Sequence, residues 1–252
     1  MLVEILLVGA VSGFIQGLSG FAFGFVATSL WAWMMEPQKV VPLVVLGSLL
    51  GQCVSILSVR HEIRVTRVRP FIIGGAIGAP LGATLLNALD AMAFRALAGA
   101  SLMVYCLIML KASHLPKLKW AGATADGCIG MVSAGLTGAF GMGGPPMILW
   151  CSLREWNIVM QRATYQTFFV VVQVGVLSVY IWRGIVEATL LAMFAWLAPA
   201  ITLTSWLGSR VSRKYSDLNF QKIVFGLLLV SGALLVVPAA RSITSVIWRQ
   251  MN

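Results

Sequence analysis

The sequence predicts an all-α polytopic membrane protein with two homologous, inverted halves and about 8 to 10 helical segments in total. Composition carries the first part of this prediction: 59% of the 252 residues are apolar, 10% are charged, and the mean hydropathy is +0.91. Soluble domains carry about 25% charged residues. A β-barrel would show alternating polar and apolar positions, whereas the apolar runs here are continuous.

Six apolar runs are long enough to cross a hydrocarbon core of about 30 Å as helices. In chain order they are residues 40–59, 70–89, 93–110, 163–182, 188–207 and 223–237. Two further apolar segments, residues 2–35 and 122–153, are longer than one span and are interrupted by glycine. We therefore expect a single transmembrane domain over residues 1–252.

A glycine-rich motif interrupts each of the two long segments. Gly17-Leu18-Ser19-Gly20 returns 118 positions later as Gly135-Leu136-Thr137-Gly138, and the second copy continues into Gly141-Met142-Gly143-Gly144-Pro145-Pro146. Glycine inside a helix costs about 1 kcal/mol relative to alanine, and proline cannot donate to the helical hydrogen-bond ladder. A broken helix is expected in both segments.

A second match supports a duplication. Asp90, Arg95 and Gly99 reappear 127 positions later as Asp217, Lys222 and Gly226. Repeat 1 then covers about residues 1–112 and repeat 2 about residues 122–240. Each repeat consists of one broken glycine-rich hairpin segment and three transmembrane helices.

The basic residues distinguish two topologies. If each long segment crosses the membrane once, the 18 Lys and Arg residues divide 10 to 8, which gives almost no orientation signal. If each long segment folds back, or crosses twice, they divide 13 to 5, and the positive-inside rule then places both termini outside the cytoplasm. The 13 residues are Arg60, Arg64, Arg67, Arg69, Lys111, Lys117, Lys119, Arg154, Arg162, Arg210, Arg213, Lys214 and Lys222.

Several function classes are disfavoured. The sequence has neither H-E-x-x-H nor G-x-S-x-G on its apolar segments, so an enzyme is not expected. The four cysteines lack metal-ligand spacing, so neither a metal site nor a cofactor is predicted. The net charge of +10 comes from loops between apolar runs, which favours membrane orientation over nucleic-acid binding.

The paired G-L-[ST]-G motifs, the second running on through Gly143-Gly144-Pro145-Pro146, resemble those of the TauE/SafE family, also called the toluene-sulfonate uptake permease family. The resemblance covers essentially the whole chain. It implies a multi-pass transporter of the bacterial inner membrane, associated with sulfite, sulfoacetate or other sulfur-containing anions.

Broken helices of this kind suit an anion. A break leaves backbone N–H groups without partners, and helix N-termini carry about half a positive charge. The alternative is that the small residues only let helices pack closely. Arg162 is either a counter-charge for the anion or an anchor that reaches to the cytoplasmic surface. The candidate substrate-binding residues are Gln16, Gly17, Ser19, Gly20, Gln52, Gly135, Thr137, Gly138, Gly141, Gly143, Gly144, Arg162 and Gln166.

These patterns predict a secondary transporter that moves a small anion through a site between two broken helices. The alternatives are a transporter of a small carboxylate or other organic anion, and a membrane scaffold or assembly protein. The expected partners are the anion and the lipid bilayer, with a homodimer and a coupling ion, proton or sodium, left open. No carboxylate lies inside a clear span, and Asp126 is the nearest candidate for coupling.

Overall fold

The computed structural model describes residues 2–111, 118, 122–214, 229, 232, 233 and 235. Side chains are not described at 109–111 and 212–214. Within these residues the regular structure is entirely helical. The α-helices are α1 (Leu2–Ser19), α2 (Phe23–Trp31), α3 (Pro37–Ile56), α4 (Val65–Ala88), α5 (Ala91–Lys111), α6 (Ala123–Phe140), α7 (Gly144–Leu153), α8 (Ile158–Trp182) and α9 (Ala188–Lys214).

Five of the six predicted spans are confirmed as the long helices α3, α4, α5, α8 and α9. The sixth predicted span, residues 223–237, lies mostly outside the described residues. Six described helices are long and apolar enough to cross a membrane, and α1 joins those five in this set. The molecule is therefore an all-α polytopic membrane protein.

Both long glycine-rich segments fold back as hairpins. In the first, Trp31 at the end of α2 lies beside Gly9 of α1, so α2 runs antiparallel to α1. In the second, Arg154 after α7 reaches back to Asp126 at the start of α6. With 9 and 10 residues, α2 and α7 rise about 14–15 Å, which is half of the hydrocarbon core. The returning arms α2 and α7 are therefore too short to cross a membrane as single helices.

Contacts between helices show that the halves run in opposite directions. Gly13 and Gly17 of α1 contact Ile201 and Ser205 of α9 in the same order, so these two helices are parallel. Gly74 and Gly82 of α4 contact Gly127 and Gly135 of α6 in the same order, so these two are also parallel. Ser48 of α3 accepts a hydrogen bond from Gln173 of α8. Helices α1, α3 and α9 point one way, and α4, α6 and α8 point the other. The two hairpins thus enter from opposite sides, and their tips overlap inside the molecule.

Each hairpin packs on a helix of the other half. Helix α1 lies along α9, and α6 lies along α4. The fourth helix of each half, α4 or α9, therefore packs on the hairpin of the other half, and the two halves exchange their fourth helices. Glycines make this close approach possible: a Cβ at Gly17 would collide with the Ser205 carbonyl, and one at Gly82 with the Gly135 carbonyl. Small residues are the usual means by which membrane helices bring their backbones together.

The structural correspondence between the halves is 121 positions in the hairpins, not 118. Gly20 and Gly141 are the left-handed residues of the two breaks, with φ of +84° and +71°, and α3 and α8 begin at Pro37 and Ile158. Gly17 therefore corresponds to Gly138, and the sequence match to Gly135 is shifted by about one helical turn. The shift arises because small residues recur nearly every turn along these closely packed helices.

Candidate functional site

A small polar cavity lies between the two hairpin tips. Its lining includes polar side chains of α3, α6 and α8 and main chain at the start of α7: Ser48, Gln52, Thr137, Gly141, Gly143, Gly144 and Gln173, with Phe21, Gly24, Phe25, Met142 and Phe169 as neighbours. Its volume is about 10 Å³, near the least that holds one water molecule. This volume is too small for an anion of several heavy atoms, so anion binding needs the lining of the cavity to move apart.

The orientation of Gln52 is fixed by a chain of hydrogen bonds that begins at the first break. The Phe23 N–H donates to Gln16 Oε1 over 2.9 Å, so the Gln16 amide must present its Nε2 on the other side. Gln16 Nε2 donates to Gln52 Oε1 over 2.8 Å. Gln52, which is 1% exposed, is left with an Nε2 donor that has no partner among the described residues. A buried N–H without a partner costs about 1–3 kcal/mol.

The second tip offers main-chain donors to the same cavity. Gly143 and Gly144 begin α7, and no hydrogen bond within the described residues engages their N–H groups. Pro145 and Pro146 follow and have no N–H. The start of α7 therefore presents two N–H donors and the positive end of a helix dipole.

Gln173 faces Gln52 across the cavity from the other half, at the position in α8 that corresponds to Gln52 in α3. Its Nε2 donates to Ser48 Oγ over 2.6 Å, and its Oε1 has no described partner. Because the serine hydroxyl can also donate, a turn of the amide presents Nε2 to the cavity instead. The candidate set from the sequence lacked Gln173 and Ser48. The 121-residue correspondence with Gln52 is the signal that identifies Gln173.

Five of the candidate residues line the cavity: Gln52, Thr137, Gly141, Gly143 and Gly144. Gln16 lies one hydrogen bond away. Thr137 Oγ1 donates to the Ser133 carbonyl of its own helix over 2.9 Å. Gly141 supplies the left-handed turn that ends α6. Ser133 Oγ donates to the Gly143 carbonyl, which ties the second tip to α6.

Four other candidates make contacts that differ from those expected of them. Gly17, Gly135 and Gly138 lie at the α1–α9 and α4–α6 contacts, where glycine allows close helix packing. Ser19 Oγ donates to the Ile15 carbonyl over 2.7 Å and accepts from the Ala22 N–H over 3.1 Å. Ser19 thus caps the break, and at the 121-residue correspondence it is not the counterpart of Thr137.

The remaining three candidates, Gly20, Arg162 and Gln166, gather on the other side of the first tip. A Cβ at Gly20 would lie 3.0 Å from Gln166 Nε2 and 3.7 Å from the Tyr165 hydroxyl. The Arg162 guanidinium lies close to that hydroxyl. None of these residues lines the cavity between the tips.

Asp126 is engaged in an ion pair. Its carboxylate accepts hydrogen bonds from Arg154 over 2.6 and 2.8 Å and from Trp150 Nε1 over 2.7 Å. All three residues belong to the second hairpin, and the Arg154 guanidinium also lies over the Trp150 and Trp156 rings. Asp126 therefore joins the two ends of this hairpin.

Comparison with known proteins identifies the family of the chain. The model of the family described as Sulfite exporter TauE/SafE matches residues 5–235. A curated relative from Cupriavidus necator, described as "Probable sulfite/organosulfonate exporter TauE", is 28% identical over 104 residues. That match covers 41% of this chain and 41% of the relative. No solved structure matches the chain.

Proposed function

Since the chain belongs to the Sulfite exporter TauE/SafE family, as a multi-pass transporter of the bacterial inner membrane, we propose that it exports a small sulfur oxyanion or organosulfonate through the cavity between its two hairpin tips. The matched relative is described as a "Probable sulfite/organosulfonate exporter", and this description supports both the substrate class and the direction. The cavity carries the rest of the proposal.

The observation on which the proposal rests is the Gln52 amide. Its Nε2 is buried, its orientation is set through Gln16 by the Phe23 N–H, and it has no described acceptor. Gly143 and Gly144, whose N–H groups have no partner within the described residues, line the same space. The Gln52 amide of α3 and the start of α7 at the second tip thus meet at one cavity, where an anion with several oxygens can accept from these donors. A sulfite or sulfonate headgroup has three such oxygens, and it needs no buried lysine if dipoles and amides meet its charge.

The inverted halves support a mechanism of alternating access. Each tip blocks the path from the side opposite to the one its hairpin enters, so separation of one tip at a time opens one side at a time. Because ten of the thirteen Lys and Arg residues within the described part of the chain fall on the side of the α4, α6 and α8 starts, we assign that side to the cytoplasm. The first tip is then the barrier on the cytoplasmic side.

Sulfite flux in reconstituted vesicles tests the proposal. The Gln52→Glu variant keeps the shape of the side chain, replaces the donor by a carboxylate and should abolish flux. Gln38→Glu is the matched control, because it adds the same charge near the start of the same helix, away from this cavity. Unchanged flux in Gln52→Glu would overturn the assignment of the site. Preference for a small carboxylate would replace the substrate class, and no anion flux at all would leave a scaffold or assembly protein.

A further inference from the structure

The surroundings of the two tips differ at corresponding positions. Gly20, at the first tip, faces Tyr165 and Gln166 of α8. Gly141, at the second tip, faces Val44 of α3. At the 121-residue correspondence, Tyr165 and Val44 are counterparts. The two tips are thus alike in backbone, but α8 presents polar side chains to the first tip where α3 presents a valine to the second.

The polar surroundings form one group on α8. Arg162, Tyr165 and Gln166 lie within about one helical turn and correspond to Val41, Val44 and Val45 of α3, which are all buried. Packing alone is satisfied by three valines at the second tip. A role in packing therefore does not account for an arginine, a phenol and an amide at the first.

Gln166 is the member that packing explains least. It is 2% exposed, and its Oε1 has no partner among the described residues. Its Nε2 points toward Gly20, where the lack of a side chain leaves the amide room. No residue in the described part of the chain accepts a hydrogen bond from Gln166 Nε2, so this donor, rather than the Oε1 acceptor, is available to an anion oxygen.

The charge and shape of the group indicate the kind of ligand. Arg162 supplies a guanidinium, which binds two oxygens of one oxyanion in a planar fork. The Tyr165 hydroxyl and the Gln166 amide add two further donors. The ring of Tyr165 lies 5.8 Å from that of Phe169, so apolar surface suited to the organic part of a sulfonate adjoins the donors.

We propose that Arg162, Tyr165 and Gln166, above Gly20, form a second anion-binding site that loads the substrate on the cytoplasmic side of the first tip. This inference rests on the proposed function and on the orientation assigned above. The anion binds at this loading site first and passes to Gln52 when the first tip moves. The valines at the second tip offer no such site, so the anion is released on that side without binding at a further site.

Calorimetric titration of the purified, full-length protein with sulfite tests the loading site. We expect two sulfites per chain in the wild type, one in Gln166→Val, which installs the residue of the second tip, and one in Gln52→Glu. Arg162→Gln should weaken the same sulfite as Gln166→Val by about tenfold or more, as loss of a charge-assisted hydrogen bond implies. If Gln166→Val fails to fold, the Arg162→Gln variant tests the loading site in its place.

The control is Arg210→Gln, which removes an exposed arginine stacked on Trp206 near the end of α9 and should bind two sulfites like the wild type. Two sulfites in Gln166→Val would overturn the loading site. One sulfite in the wild type, lost in Gln52→Glu and kept in Gln166→Val, would also overturn it while the proposed function stands. No sulfite bound by the wild type would overturn both.

Discussion

At the first hairpin the start of the returning helix is capped by side chains, whereas at the second it is left to backbone and glycine. Gln16 and Ser19 accept the N–H groups of Phe23 and Ala22. Around Gly143 no side chain plays this part within the described residues. The backbone itself is nearly the same: φ and ψ are −86° and 2° at Ala22, and −80° and −2° at Gly143. The same backbone turn thus has N–H groups bonded to side chains in the first half, whereas in the second half its N–H groups are not bonded to side chains within the described residues.

The difference extends to the ends of the hairpins away from the tips. At the second hairpin Asp126 binds Arg154 and Trp150. The corresponding position of the first hairpin is Ile5, which is fully buried in an apolar cluster with Trp31. Both arrangements hold the hairpin arms together, one by an ion pair and the other by apolar burial.

The largest effect is expected at this ion pair. Asp126→Ala removes the carboxylate that Arg154 binds, and removing one partner of a buried pair costs about 3–5 kcal/mol. Ile5→Val, at the corresponding position, should cost about 0.5–1.5 kcal/mol. Unfolding in mixed micelles measures both. Equal costs would show that the ion pair does not hold the second hairpin together.

A methyl group at the second break should have the next largest effect. A Cβ at Gly143 would collide with Thr137 Oγ1 and with the Ser133 carbonyl, and the carbonyl cannot move away without bending α6. Gly143→Ala should therefore cost about 2–3 kcal/mol and stop sulfite flux. The reverse change at the same backbone geometry, Ala22→Gly, removes one buried methyl group at a helix N-cap, where glycine is favoured over alanine, so it should cost less than about 1 kcal/mol and leave flux in place. Flux in Gly143→Ala equal to that in Ala22→Gly would mean that the second tip does not need this close contact.

Gln16 and Thr137 occupy corresponding positions, so substitutions at these two residues compare the break that side chains cap with the break that they do not. Gln16→Leu leaves the Phe23 N–H and Gln52 Oε1 without their partner, so we expect a loss of about 2 kcal/mol and weaker sulfite binding. Thr137→Val removes a hydrogen bond to a carbonyl of its own helix and should cost less than about 1 kcal/mol. The comparison uses melting curves with and without sulfite. It fails if Thr137→Val is the more damaging change.

Ser19→Ala should have the smallest effect on sulfite binding. The hydroxyl caps the Ala22 N–H, and loss of such a cap costs about 1 kcal/mol. Since its bonds are made within the first hairpin, sulfite affinity should stay within about twofold of the wild type, well below the tenfold that 1.4 kcal/mol represents. Titration with sulfite decides, and a tenfold loss of affinity would place Ser19 in the binding site.

The sequence was sufficient to predict the fold class, because length and hydropathy determine which segments can cross a bilayer. The hairpins were also predictable, since Gly20 and the run from Gly141 to Pro146 cannot continue a helix. The repeat boundaries, the homodimer and the coupling ion stay predictions.

The candidate site was harder to predict from the sequence. Gly143 and Gly138 look alike in the sequence, but Gly143 lines the cavity whereas Gly138 packs on α4. Closely packed membrane helices need glycine almost every turn, so glycine alone cannot distinguish a binding site from a packing contact. Gln52 and Gln166 could be identified from the sequence because an amide side chain that faces lipid is costly, so each is expected to face the protein interior and bind a polar partner there. In the sequence Gln173 shares a helical face with Arg162 and Gln166, where packing and substrate contact are equally good explanations, and only the correspondence of 121 positions pairs it with Gln52.

The exchange of fourth helices affects how the protein is made. On the ribosome α1 emerges first, but its packing surface is on α9, nearly 200 residues later in the sequence. The glycines of α1 stay without their final neighbour until most of the chain has been synthesised. The second hairpin is in the opposite position, because α4 is already in the membrane when α6 emerges. Assembly is therefore sequential: the second hairpin docks as it is made, and the first becomes complete only when α9 closes over it.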